Sequence, residues 1–298
     1  MCHILTIFEQ AILTKKRLVQ VFAHGNLLFS RMQSNRRPIG IFDSGIGGLT
    51  VAHAIRQLLP YERLIYFGDT AHLPYGDKSE AAIQAYSIRI ADFLLQQGCK
   101  VLVIACNSAS SAAYDLLKEY VRTDARIINV IDPMVEWVSA RYSHQRVGLI
   151  GTKRTVQSGI YKRKLLELNP TVSLHSLATP LLAPMIEEGF HHNKISHDLI
   201  EEYLSRPDLA DVAALILACT HYPLIKKEIA AFYQGRAAVL DSSELVARAV
   251  NGYLQEKQIA HAPEEPVHRF YVSDYTEGFE LATRLFFGEQ IHLQLQKL

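Results

Sequence analysis

From Pro38 onward, short β-branched apolar runs alternate with longer segments of helical spacing. Ile39-Gly-Ile-Phe42 reads as a strand, and the stretch from Leu49 to Leu59 then places Leu49, Ala52, Ile55 and Leu59 close to helical period. Leu64-Ile-Tyr-Phe67 reads as a second strand, and Glu80 to Gln97 as a second helix with Gly98 as its stop. Val101-Leu-Val-Ile-Ala105 is a continuous apolar run, the pattern of a strand buried on both faces, and Ser110 to Tyr120 is helical again. The second half follows the same plan: a strand over Arg146 to Ile150, a loop at Gly151-Thr152, and a helix through Leu168. A buried strand over Ala213 to Ala218 follows, then a helix from about Pro223. Such alternation predicts an α/β protein with parallel sheets covered by helices. The joint between halves is expected near Ile131-Asp132-Pro133, where proline interrupts the pattern.

The halves repeat in detail. Val101-Leu-Val-Ile-Ala-Cys106-Asn107 aligns with Leu215-Ile-Leu-Ala-Cys219-Thr220, and Ile39-Gly-Ile-Phe-Asp43-Ser44 with Val147-Gly-Leu-Ile-Gly151-Thr152. Each half thus offers a strand ending in a small polar loop and another ending in cysteine. Two related domains facing one another would bring both cysteines to one cleft.

Composition narrows the class. The 31 basic and 30 acidic residues nearly cancel, so no large basic face for nucleic acid is expected. The apolar runs from Pro38 onward are too short to cross a bilayer. Cys2, Cys99, Cys106 and Cys219 form no C-x-x-C pair, which fits neither a zinc site nor a secreted disulfide framework and points to a reducing compartment. Within the first 37 residues, those from Met1 to Ser30 carry apolar clusters around Lys15-Lys16-Arg17, with the charge order of a secretory signal reversed. They read as an extension ahead of a start at Met32, with a surface amphipathic helix as the alternative. The linker from Ser30 to Arg37 is expected to be loose.

Cys106 follows an apolar strand and precedes a helix, a position that lowers a thiol pKa. Taken alone, it and Cys219 each read first as small core residues. As equivalent members of a repeat they suit inversion of a carbon centre: a thiolate removes a proton from one face and a thiol delivers one to the other. Asp43 and Ser44 open Asp-Ser-Gly45-Ile-Gly47-Gly48, whose backbone amides could hold a carboxylate. A dinucleotide loop competes, but Thr50 stands where the third glycine would be. His221 could tune proton transfer at Cys219 or face solvent. Asp43 could do the same near Cys106 or act as a helix cap. Pro74-Tyr75-Gly76 is a turn by itself. His191-His192 lacks metal-ligand spacing and reads as a surface feature, Cys99 as structural, and Glu187-Glu188 as a solvated helix end.

These motifs together are recognisable. From Ile39 to about Phe287 the chain resembles the glutamate racemases of the aspartate/glutamate racemase superfamily. The resemblance is carried by Ile39-Gly-Ile-Phe-Asp-Ser-Gly-Ile-Gly-Gly-Leu-Thr-Val51, Tyr66-Phe-Gly-Asp-Thr-Ala-His-Leu-Pro-Tyr-Gly-Asp-Lys78, Ala105-Cys-Asn-Ser108, Ala218-Cys-Thr-His-Tyr-Pro-Leu224 and Val239-Leu-Asp-Ser242. It implies catalytic Cys106 and Cys219, with Cys106 taking the proton from D-glutamate and Cys219 from L-glutamate. Asp43, His221 and, in Pro184-Met-Ile-Glu187, Glu187 would assist. It implies substrate binding by Asp43, Ser44, Tyr75, Gly76, Asn107, Ser108, Thr220 and His221. It further implies no pyridoxal phosphate or other cofactor, no metal, no membrane or nucleic-acid partner, and a dimer. The product would be D-glutamate for peptidoglycan, made in the bacterial cytoplasm.

The implied fold is two pseudo-symmetric domains, each a parallel sheet flanked by helices, with the active site in the cleft between them. Chain continuity would be crossed: residues 38–131 plus 241–298 form the first domain and 132–240 the second, behind the extension at 1–37. Ser108 stands where the family usually has threonine, Ala218 replaces a common glycine and Thr179 a common cysteine. Aspartate racemisation is the competing enzymatic reading. A nucleotide- or sugar-binding module with structural cysteines is the competing reading from another class.

Overall fold

A computed structural model describes residues 36–261 and 264–298. Expectations for residues 1–35, including the amphipathic helix, lie outside the described residues. The first sheet is built from β1 (Ile39–Asp43), β2 (Leu64–Gly68), β3 (Val101–Ile104) and β4 (Arg126–Asn129), joined by β9 (Arg269–Val272) and β10 (Gln294–Leu295). Its order is β10-β9-β2-β1-β3-β4. The second, β6-β5-β7-β8, uses β5 (Arg146–Gly151), β6 (Ser173–Ala178), β7 (Ala214–Ala218) and β8 (Ala238–Leu240). Every pairing is parallel. The central strands β1, β2, β3 and β7 are buried at every position, which is why their sequences are unbroken apolar runs.

The shared order β2-β1-β3-β4 and β6-β5-β7-β8 makes the repeat visible in three dimensions. In both sheets the strand ending in the small polar loop is flanked by the strand leading to cysteine.

Connecting helices are α1 (Leu49–Leu58), α2 (Glu80–Gln96), α3 (Asn107–Val121), α4 (Asp132–Arg141), α5 (Lys153–Gln157) and α6 (Ile160–Leu168). Further along come α7 (Leu182–Glu187), α8 (Lys194–Leu204), α9 (Lys226–Tyr233), α10 (Ser243–Lys257) and α11 (Glu277–Phe287). Pro133 does not break the pattern at the crossing; it opens α4, where a missing N–H costs nothing. The single helix expected up to Leu168 is two, α5 and α6. Gly159 takes φ +63 between them, a left-handed turn that lets α6 start in a new direction. Gly98 ends the α2 region at φ +77. After β7 a 3-10 turn over Tyr222–Ile225 precedes α9, so the helix begins later than Pro223.

Beyond β8 the chain returns to the first sheet. Helix α10 packs against α1, and β9 adds outside β2 with Ile65 opposite Arg269. A buried ion pair fixes this return. Lys100 Nζ lies 2.8 Å from Glu62 Oε2 and donates to the Ile259 carbonyl at 2.7 Å, while the His261 N–H donates to Glu62 Oε1 at 2.6 Å. Arg37 is not part of a loose linker. Its guanidinium donates to the carbonyls of Gly98 (2.8 Å), Cys99 (2.9 Å) and Asp124 (3.0 Å). No helix among the described residues is long and apolar enough to cross a membrane.

Candidate active site

Asp43 is the last residue of β1 and is fully buried. The backbone N–H groups of Gly45 and Gly48 both donate to its Oδ2 at 3.1 Å, and the Thr220 hydroxyl donates to Oδ1 at 3.4 Å. Its carboxylate therefore organises the glycine turn before α1 and reaches across to the second half. Both oxygens are engaged, which makes it a brace as much as a charge. Gly47 and Gly48 are required here: a Cβ at Gly47 would lie 2.5 Å from His221 Cε1, and one at Gly48 would lie 2.6 Å from Asp43 Cβ.

Cys106 follows β3 and caps α3; Cys219 directly follows β7. Both cysteines line one narrow cavity of about 40 Å³ at the carboxyl ends of the two sheets. Ser44, Tyr75 and Gly76 line it from the first half, with Asn107 and Ser108 beside Cys106. Thr220, His221 and Glu187 line it from the second half. Of the residues singled out from sequence for this site, only Asp43 stands behind the wall and not in it. Thr152 and Ala183 also line the cavity and had not been singled out. Thr152 had a signal, because it occupies the place of Ser44 in the repeat. Its hydroxyl is 2.9 Å from that of Ser108, across the cleft.

The two thiols sit in different electrostatic surroundings. The Cys106 thiol donates to Ser44 Oγ at 3.6 Å. Burial first, and then the Asp43 charge, push its pKa up to about 12, against the Ala109 N–H and the Ser44 hydroxyl. The expected lowering at a helix N-terminus is thus overturned: desolvation of a fully enclosed thiolate outweighs one turn of helix dipole. Cys219 Sγ lies 3.6 Å from His221 Nδ1, and His221 Nε2 lies 2.8 Å from Glu187 Oε1. Burial alone would lower the His221 pKa, but the Cys219 and Glu187 contacts raise it well above its ordinary value. Phe286 of α11 closes this side, its ring edge-on to His221 at 5.3 Å.

Glu187 is an exposed helix end, as its sequence suggested, and its carboxylate is also the far member of a Cys–His–Glu chain. His191 is buried, not a surface feature, and His192 pairs with Glu228 at 2.7 Å. Cys99 is buried at the opposite end of β3, against Gly40. Behind Tyr75, its hydroxyl donates to the buried Asp69 at 2.5 Å, which also accepts from Ser273 Oγ at 2.7 Å. The returning C-terminal segment thus supports the loop that lines the site.

Two parallel-sheet halves that close a cleft over a pair of thiols define an α/β isomerase, an amino-acid racemase. Residues 49–250 match the family model described as Asp/Glu/hydantoin racemase. The chain is 39% identical to the glutamate racemase of Geobacter metallireducens over 86% of its own length and 94% of the relative's. Glutamate racemase from Francisella tularensis, solved in complex with D-glutamate, superposes with TM-score 0.83 at 37% identity, covering 88% of this chain and 98% of that one. An isoform from Bacillus anthracis gives TM-score 0.84 at 33% identity, covering 89% and 98%. The chain belongs to the Asp/Glu/hydantoin racemase family, among its glutamate racemases.

Proposed function

We propose that the cleft interconverts L- and D-glutamate by proton transfer between two thiols on opposite faces of the α-carbon. The observation that carries this reading is that Cys106 and Cys219 line the same cavity. Their surroundings support a division of labour. Cys219 beside the His221–Glu187 pair is suited to be a thiolate base, while Cys106, held up to about 12, is suited to be an acid. For L-glutamate, Cys219 takes the α-proton and the electron pair stays on the α-carbon, delocalised into the adjacent carboxylate. Cys106 then gives its proton to the opposite face. The product is D-glutamate, with the base now a thiol and the acid a thiolate; the reverse reaction starts from that pair. The amide of Asn107 and the hydroxyls of Ser44, Ser108 and Thr220 are the donors available to the substrate's carboxylates. Asp43 anchors the turn and Thr220. The scheme calls on no cofactor and no metal, and its product is suited to peptidoglycan synthesis in the cytoplasm.

Incubation in heavy water with each enantiomer of glutamate and of aspartate tests the reading. Glutamate should exchange its α-hydrogen and racemise, with aspartate much slower. Exchange of neither amino acid would favour a binding module, and preference for aspartate would favour the other racemase. Cys106→Ser and Cys219→Ser should each cut racemisation by about 10²- to 10⁴-fold, the usual worth of a general acid or base. Near-native racemisation by either variant would refute the two-thiol scheme. Elimination from a β-chloro analogue needs one base, so each single variant should retain it for one enantiomer only.

A further inference from the structure

Asn107 opens α3 beside Cys106 and lines the cavity, 2% exposed. Its amide has one end that accepts and one that donates, and the two ends are nearly the same size. The tertiary structure settles which end faces which way. Tyr161, from α6 in the other half, donates its hydroxyl to Asn107 Oδ1 at 2.8 Å, both groups being buried. Nδ2 has no hydrogen-bond partner among the described residues. If the amide were turned end for end, Nδ2 would donate to the phenol oxygen and the Tyr161 proton would lose its acceptor. Oδ1 would then take the place of Nδ2, an acceptor where an anionic substrate needs a donor. The observed orientation leaves the Nδ2 protons as the unmade donors, which a carboxylate ligand would satisfy, whereas the turned amide would set an acceptor against that ligand.

We propose that Tyr161 is a positioning residue for substrate binding: its hydroxyl locks the Asn107 amide so that Nδ2 is presented to a substrate carboxylate. This deepens, and rests on, the reading of the cleft as a glutamate site. Burial, and then the charge of Asp132, hold the Tyr161 phenol well above its ordinary pKa, so it remains a donor throughout the working range. The neighbouring Ser108–Thr152 contact at 2.9 Å is a second strap from the same helix start to the other half. The binding donor is therefore set where the two halves meet.

Steady-state kinetics of Tyr161→Phe, measured in both directions, test this. KM should rise about tenfold for both enantiomers, the usual scale for one lost hydrogen bond, because both present the same carboxylates; kcat should change little. Asn107→Ala should raise KM in the same way, and the double variant should be no worse than Asn107→Ala alone. Asn107→Asp keeps an acceptor for Tyr161 but offers an oxygen to the cavity, and should also raise KM. A native KM in Tyr161→Phe, effects that multiply in the double variant, or a loss confined to kcat with a lowered Tm would overturn the proposal. If Tyr161→Phe does not fold, a native KM in Asn107→Asp would overturn it and a raised KM would support it. Absence of racemisation by the unaltered protein would instead sink the functional reading beneath it.

Discussion

At the scale of single residues, the two thiols differ by what surrounds them. Cys106 caps a helix, a position that favours a thiolate. Yet it is enclosed beside the Asp43 carboxylate and keeps its proton up to about 12, against an ordinary value of 9.0. The folded chain therefore holds this proton where the unfolded chain has released it. The thiol's contribution to stability is intact below 9.0 and is lost as pH climbs from there toward about 12. One such proton gives a slope of at most about 1.4 kcal/mol per pH unit. Urea unfolding at rising alkaline pH should show Cys106→Ser gaining on the unaltered protein, and a difference independent of pH would contradict the assignment. On the other wall, Glu187→Gln removes the carboxylate that supports a protonated His221. Exchange of L-glutamate in heavy water should slow about tenfold, the lower range for a hydrogen bond to a charged group, with D-glutamate less affected. Equal loss for both enantiomers would argue against a role confined to the Cys219 side.

At the scale of elements, the site depends on backbones approaching more closely than a side chain allows. The turn before α1 meets the Thr220–His221 loop at Gly47, where a Cβ would lie 2.5 Å from the imidazole and 2.7 Å from Thr220 Oγ1. Gly47→Ala should move His221 away from Cys219. Racemisation should fall by more than about tenfold, because misplacement on the ångström scale is costly in catalysis. Gly98→Ala is the contrast. At φ +77 it would be strained by about 1–2 kcal/mol, but no atom lies within 4 Å of the new Cβ, so Tm should drop with turnover per folded molecule unchanged. Comparing Tm and kcat of the two variants separates a steric demand of the site from a conformational demand of a helix end. Finding Gly47→Ala fully active would show that the loop can retreat without consequence.

At the scale of the whole molecule, the cavity between the thiols is narrow, about 40 Å³, so substrate entry is expected to part the halves. One side of the cleft is closed by buried contacts, Thr220 to Asp43 and the Thr50 hydroxyl to the Thr220 carbonyl at 3.2 Å. The other is closed by outer groups: Arg154 donates to the Lys78 carbonyl at 3.2 Å, and an exposed Lys153–Asp77 pair spans 3.3 Å. Exposed pairs contribute about 0–1 kcal/mol, so opening should start on this second side. Amide exchange of residues 75–80 and 152–155 should be fast in the free protein and slowed by glutamate, while β1 stays protected in both. Uniform protection of both segments without glutamate would place the opening elsewhere. The start of the chain is tested at the same scale. Arg37 is anchored, so a chain beginning at Met32 keeps that anchor and should match the full chain in turnover and Tm; a fall of several degrees would reveal packing by residues 1–31 of about 1 kcal/mol or more.

The strands β1, β2, β3, β5 and β7, a helix after each and the two cysteine-bearing loops were legible in the sequence, because a strand buried on both faces must be an unbroken apolar run and the repeat printed that run twice; the outer strands β4, β6, β8, β9 and β10 and helices α4, α7, α8, α10 and α11 were not read. Thr152 was legible in principle through the same repeat. Other features had no local signature. The break at Gly159 needed a left-handed turn that one glycine in a helical pattern does not announce. Glu187 reads as a solvated helix end until folding sets it 2.8 Å from His221. Tyr161 lies in a segment read only as helix until it meets Asn107, 54 residues away. The rise of the Cys106 pKa likewise depends on enclosure and on Asp43, against what its place before a helix suggests. Sequence by itself determined the central strands with the helices that follow them and which side chains could carry chemistry, since these follow from local periodicity and residue type. Only the tertiary structure decided which of those side chains meet and why the Cys106 thiol is held up, because each is a property of groups brought together from distant parts of the chain.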